Sequence, residues 1–105
     1  MTPPEYLTPH AQDRFFERWG ELLGHKYKPL ATRYLMDFLN QAEFVEYERG
    51  STQEFWKLRV LVAGIVTGFF YHDITLVVQR GEVKTVLPPG SERPKSRPSY
   101  TPKDR

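Results

Sequence analysis

Phe55-Trp56-Lys57-Leu58-Arg59-Val60-Leu61-Val62-Ala63 alternates with a period of two. Successive side chains of a strand point to opposite faces, so Phe55, Lys57, Arg59 and Leu61 share one face and Trp56, Leu58, Val60 and Val62 share the other. The second set is purely apolar and should face a core. Downstream, Ala63-Gly64 can turn into a strand at Ile65–Tyr71, His72-Asp73 reads as a tight connection, and Ile74–Gln79 as the next strand. Arg80-Gly81 is a hairpin turn, Val83–Leu87 the last strand, and Pro88-Pro89-Gly90 ends it, since proline cannot donate to a ladder. Upstream, Phe44–Glu48 also alternates, and Arg49-Gly50-Ser51 is a turn. Short loops between successive strands imply antiparallel neighbours.

Before residue 44 the period is helical. Thr8 is a hydroxyl N-cap followed by Pro9 at the first helical position, and Gly24 is a C-cap, which brackets a helix over about 9–23. Ala11, Phe15, Trp19, Leu22 and Leu23 form its apolar stripe, widened by Phe16. Pro29 opens a second helix over about 29–42, with Leu30, Tyr34, Leu35, Phe38, Leu39 and Ala42 recurring at three and four. The expected fold is therefore α+β: two N-terminal helices packed on an antiparallel β-meander of four to five strands, because each helix has one stripe to bury.

Residues 1–88 read as one α+β domain and 89–105 as a flexible, basic, proline-rich tail; residues 1–7 also look poorly able to fold. Residues 1–87 carry 10 Lys/Arg and 11 Asp/Glu, so the body is at −1, while 88–105 carry five basic residues against two acidic ones. Affinity for polyanions must then come from a local cluster or from the tail. With no cysteine there is no disulfide or thiolate metal site, which fits a reducing, cytoplasmic setting. The N-terminus lacks the pattern of a signal peptide, and the apolar stretch around Val60–Tyr71 is too short and too β-branched for a membrane helix. The three histidines have no zinc-binding spacing, so neither a metal nor a cofactor is expected.

Three groups of residues could carry chemistry. His10, Arg14 and Arg18 stand at i, i+4 and i+8, in one row on the first helix. Such a row can hold a phosphate between guanidinium forks beside an imidazole; equally, the arginines can be solvated and paired with Asp13, Glu17 or Glu21. His72-Asp73 can be an oriented acid/base pair, or Asp73 can serve the turn through its backbone hydrogen bonds. His25, in the polar segment between the helices, reads as solvated. Lys57, Arg59 and Lys84 on strands, and Arg93, Lys95 and Arg97 in the tail, can contact RNA or an acidic partner; strand lysines also guard against edge pairing.

His10-Ala11-Gln12-Asp13-Arg14-Phe15-Phe16-Glu17-Arg18 opens the first helix, and Asp73–Val78, a turn and Val83-Lys84-Thr85-Val86-Leu87-Pro88 close the sheet. This pattern resembles the RelE/barnase/EndoU/colicin-like group of small nucleases, in which an H-A-x-x-R-x-x-x-R helix and a closing V-x-T-V hairpin recur. The resemblance covers the order of elements from about 8 to 90. It implies metal-independent RNA cleavage by attack of a ribose 2′-hydroxyl on the adjacent phosphorus. His10 would be the acid/base, Arg14 and Arg18 would hold phosphate, Thr85 would be a hydrogen-bonding residue on the last strand, and His72 is the candidate for the second acid/base. Two helices before the sheet and a slightly acidic body depart from that group. Two functions follow: a small binding or regulatory protein that docks on a larger macromolecular partner, of phage or plasmid type, or a toxin-type ribonuclease with an antitoxin. The sequence leaves open whether the chain is an enzyme, which RNA or protein it meets, and its oligomeric state.

Overall fold

The computed structural model describes residues 1–64 and 68–91, with Ala63, Gly64, Phe69 and Phe70 as backbone only. It has the α+β architecture that the two periods demand: two helices against one face of a five-stranded sheet. The elements are β1 (Tyr6–Leu7), α1 (Pro9–Leu23), α2 (Lys28–Phe38), a 3-10 turn (Leu39–Gln41), β2 (Glu43–Tyr47), β3 (Glu54–Gly64), β4 (Gly68–Gln79) and β5 (Glu82–Val86). Strand order is β1-β5-β4-β3-β2, antiparallel throughout except for the parallel β1–β5 pair.

Helix α1 begins and ends where its caps require. The Thr8 hydroxyl accepts from the Ala11 N–H at 3.1 Å and donates to the Val83 carbonyl at 3.0 Å, so one side chain caps the helix and ties it to β5. At the other end Gly24 turns left-handed, with φ 81°, and its N–H donates to Glu21 O. Ala11, Phe15 and Trp19 are buried from this helix, whereas Leu22, in its last turn, is 39% exposed. Helix α2 buries Ala31 and Leu35, continued by Leu39 and Ala42 beyond it. The expected stripe holds at Leu35, Leu39 and Ala42, with Tyr34 and Phe38 packed against the core, but Ala31 takes the buried place expected of Leu30, which is 56% exposed.

The apolar set of β3 does face the helices: Trp56, Leu58, Val60 and Val62 are all buried. Through the register they stand beside Leu76, Ile74, His72 and Phe70 of β4. Phe44 of β2 and Val83 and Val86 of β5 complete the core.

Two expectations are corrected. His72-Asp73 is not a turn. One strand, β4 (Gly68–Gln79), runs through the expected turn and joins most of the two expected strands, and its pairing with β3 extends to Gly64 opposite Gly68; residues 65–67 lie outside the described residues. The physical reason is cross-strand pairing. Asp73 lies opposite Arg59, whose Nε and Nη2 reach its two carboxylate oxygens at 2.9 and 3.2 Å, and the His72 ring meets Trp19 edge-on at 6.0 Å. Both residues have partners that an extended strand supplies. The N-terminus is also part of the fold. Pro4 and Leu7 are buried, Glu5 N–H donates to Gly81 O at 3.2 Å, and Tyr6–Leu7 forms the fifth strand. The tail beyond Ser91, with Arg93, Lys95 and Arg97, lies outside the described residues.

Candidate functional site

The row on α1 is divided among different neighbours. His10 is exposed in the first helical turn. Arg14 is tied to Glu17 at 2.8 Å, and Arg18 donates to the Val86 carbonyl at 2.8 Å, bracing the helix against β5. Thr85 pairs with Val77 and so belongs to the face of the sheet that carries no helix, whereas His72, beside Trp19, belongs to the helix-covered face. No hydrogen bond or ion pair among the described residues joins His10, Arg14, Arg18 and Thr85 to one another. His72 and Asp73, as neighbours in a strand, point to opposite faces and do not form an acid/base pair with each other. His25 is not solvated as expected: its ring packs on Tyr34 at 4.8 Å, and its Nε2 is buried without a hydrogen-bond partner among the described residues.

Most basic side chains of the body are likewise engaged. Lys28 meets Asp13 at 2.7 Å, Arg59 meets Asp73, and Lys84 meets Glu82 at 2.7 Å. Lys57 stands between Glu43 and Thr75 in the register. These pairs explain the displaced titrations. The Lys28 hydrogen bond holds the Asp13 carboxyl below its usual range, and the Arg59 hydrogen bond does the same for Asp73. Arg59 is shifted upward by the same contact, and burial alone raises Tyr34.

The sign for Asp73 is definite. Its pKa is lower folded than unfolded, so the pair's contribution is present above the unfolded value, near 4, and is lost as pH falls through the folded value below that. Wild type and Asp73→Asn should therefore differ in stability at neutral pH and converge on acidification. Urea titrations at pH 7 and at pH 3 check this, and the gap is small because the pair is largely solvent-exposed.

Two arginines outside this pairing lie at one end of the sheet. In an antiparallel meander alternate turns share an end, so the β2–β3 turn and the β4–β5 turn come together. Between them is an open cleft of ≈ 1060 Å³ whose walls include Tyr47, Arg49, Ser51, Thr52, Glu54 and Arg80. Gln79 Nε2 donates to Thr52 Oγ1 at 2.8 Å and ties the two turns. The Tyr47 ring rests edge-on against Phe44 at 5.1 Å, yet the residue is 54% exposed. Glu54 accepts from Trp56 Nε1 at 2.7 Å, which leaves its carboxylate partly occupied. Arg49 and Arg80 are exposed and make no ion pair among the described residues.

Arg80 is also the one described non-glycine residue with positive φ, 56°, followed by Gly81 at 77°. That is the two-residue hairpin geometry in which asparagine or glycine normally stands first, because a left-handed Cβ crowds the next carbonyl at a cost of about 1 kcal/mol. A guanidinium is held here against local preference.

Both turns read Arg-Gly, at 49–50 and 80–81, and that repetition was the available sequence signal. The spurious turn at His72-Asp73 hid it. One extra reversal sends the two Arg-Gly turns to opposite ends of the sheet; removing it brings them together.

Among the described residues no group of His, Cys, Asp or Glu is placed to hold a metal ion, and no helix is long and apolar enough to cross a membrane. Comparison with known proteins places no family beside this geometry: no family model, no curated protein and no solved structure matches the chain.

Proposed function

We propose that this chain is a non-enzymatic binding protein that docks on a larger protein partner through the cleft between its two Arg-Gly turns. One observation carries the reading: two guanidiniums without carboxylate partners among the described residues share one cleft with a half-exposed tyrosine. Arginine and tyrosine are the side chains most often found at the energetic centre of protein interfaces. An arginine buried on docking needs a carboxylate from the other side, so the complementary surface is acidic. Protein fits better than RNA, because Glu48 and Glu54 share the cleft and the body as a whole is at −1. The alternative, a RelE/barnase-like toxin-type ribonuclease, needs His10, Arg14, Arg18, Thr85 and His72 to meet one phosphate. With Arg14 on Glu17 and Arg18 on a backbone carbonyl, that reading has less support.

The test is affinity capture from the source cells with wild type and with Arg49→Glu combined with Arg80→Asn. Wild type should retain one stoichiometric partner. Loss of two interface arginines, each worth about 2 kcal/mol, should weaken retention by more than about 30-fold. Asparagine accepts the left-handed turn, so Arg80→Asn alone should gain about 0.5–1 kcal/mol of stability while losing partner. Metal-free RNA cleavage by wild type, abolished by His10→Ala, would favour the ribonuclease instead.

A further inference from the structure

The β3–β4 hairpin outruns its neighbours. β2 accompanies β3 only over Glu54–Lys57, and the β5 pairing covers β4 only over Leu76–Gln79. From Leu58 to Gly64, β3 is paired with β4 on one side, and along its other side no strand runs among the described residues. One bond sets the backbone parity. Leu87 N–H donates to the Thr75 carbonyl at 3.0 Å, so odd-numbered residues of β4 turn their polar backbone groups toward β5. Thr75 stands opposite Lys57, Asp73 opposite Arg59 and Tyr71 opposite Leu61. The odd-numbered residues of β3 therefore turn away from β4, and Arg59, Leu61 and Ala63 present their N–H and C=O groups at an open edge.

The edge along β2 is guarded. β2 carries a register irregularity between Phe44 and Glu46, and its acidic side chains Glu43 and Glu46 stand along it. Leu58–Gly64 has no proline and no irregularity, and its single charge, Arg59, is neutralised across the strand by Asp73. On the face that carries no helix, Leu61 is 52% exposed and its cross-strand neighbour Tyr71 is 65% exposed. An apolar, unguarded edge of this kind is a template for strand addition.

We infer that this edge pairs with the same edge of a second copy, antiparallel about a two-fold axis at Leu61, joining the two sheets into one. Length, charge and side-chain pattern all select a second copy of this chain. The open stretch runs from 58 to 64 and Leu61 is its midpoint, so the two stretches match along their whole length; Gly64 of each copy falls opposite Leu58 of the other, one residue short of where β2 pairs at Lys57. Antiparallel self-pairing sets Arg59 opposite Ala63 of the second copy, so no like charges are opposed, whereas a charged peptide would find no counter-charge left on this edge. The pairing also lines up Tyr71, Leu61, Leu61 and Tyr71 across four adjacent strands and gives each exposed Leu61 an apolar cross-strand neighbour. A contact of identical surfaces closes at two. The inference does not rest on the Arg49–Arg80 cleft, which lies at the other end of the hairpin.

The full chain has no cysteine, so Leu61→Cys introduces a single thiol at a half-exposed site. Hydrogen-bonded antiparallel partners have Cα atoms about 5.5 Å apart, within disulfide reach. Mild oxidation should convert this variant to a covalent dimer of twice 12.4 kDa. Tyr71→Cys places its thiols three strand spacings apart, about 14 Å, and should stay uncrosslinked. Leu61→Lys opposes two ammonium groups and should raise the dimer dissociation constant at least about tenfold by sedimentation equilibrium. Wild type that sediments as a monomer at its highest soluble concentration would overturn the inference. So would crosslinking of Tyr71→Cys in place of Leu61→Cys, which would put the contact on β4.

Discussion

Replacing Trp19 by alanine should lower the unfolding free energy by about 3–5 kcal/mol, the range for deleting a buried large aromatic. Trp19 is 1% exposed and lies where α1 meets the end of the sheet. Its ring fills the space against His72, and its Nε1–H donates to the Leu87 carbonyl at 2.7 Å. Alanine therefore opens a cavity and strips a carbonyl of its donor at once. Trp19→Phe separates the two effects. It keeps most of the apolar volume and removes only the donor, so it should cost about 1–3 kcal/mol. Urea titrations of the three proteins measure both steps. A loss below about 1 kcal/mol for alanine would mean that α1 is not braced against the sheet through this residue. For a chain of this size the larger figure is a substantial part of the total, since domains unfold at about 5–15 kcal/mol.

Leu7→Ala is the second large effect, at about 2–5 kcal/mol. Leu7 is 1% exposed and stands beside Val83 in the parallel β1–β5 pair. The next residue, Thr8, donates both its N–H and its hydroxyl to the Val83 carbonyl, at 3.2 and 3.0 Å. The N-terminal residues thus clamp β5 from its outer side while α1 packs over it. Cutting away the Leu7 side chain loosens the clamp and opens the core between β1 and α1. Deuterium exchange should show early opening at Val83 in this variant, with the β3–β4 pair protected for longer. An unfolding curve superimposed on that of wild type would mean that the Leu7 side chain contributes nothing to stability.

These two residues mark what the sequence could and could not convey. Trp19 was legible because it shares a helical stripe with Ala11 and Phe15 between two clear caps, Thr8 and Gly24. Leu7 was not, because a two-residue parallel strand has no period to read, and the flanking Pro3, Pro4 and Thr8 look like an unstructured leader. The alternation of β3 predicted its buried face correctly, since period-two patterning is set by local geometry. His72-Asp73 misled because turn propensity is a local statement, while the Arg59–Asp73 pair that holds the strand extended joins residues 14 apart in sequence. The same error hid the cleft. Both Arg-Gly turns were recognised as turns, but their meeting at one end depends on counting every reversal between them.

The ribonuclease constellation illustrates the converse. The spacing of His10, Arg14 and Arg18 is real, and the helix places them along one side. What the letters do not specify is the neighbour each one meets: solvent for His10, Glu17 for Arg14, and the end of β5 for Arg18. A motif read along one helix says nothing about the face of the sheet on which Thr85 sits.

The docking account is tested most directly by site-specific photocrosslinking in the source cells, with a benzophenone amino acid replacing Tyr47. Tyr27, which is 66% exposed between the two helices and away from the cleft, serves as the comparison position. The account predicts one discrete protein adduct from position 47, lost when Arg49→Glu and Arg80→Asn are added, and no specific adduct from position 27. A specific adduct from position 27 with none from position 47, or adducts to RNA alone, would contradict it.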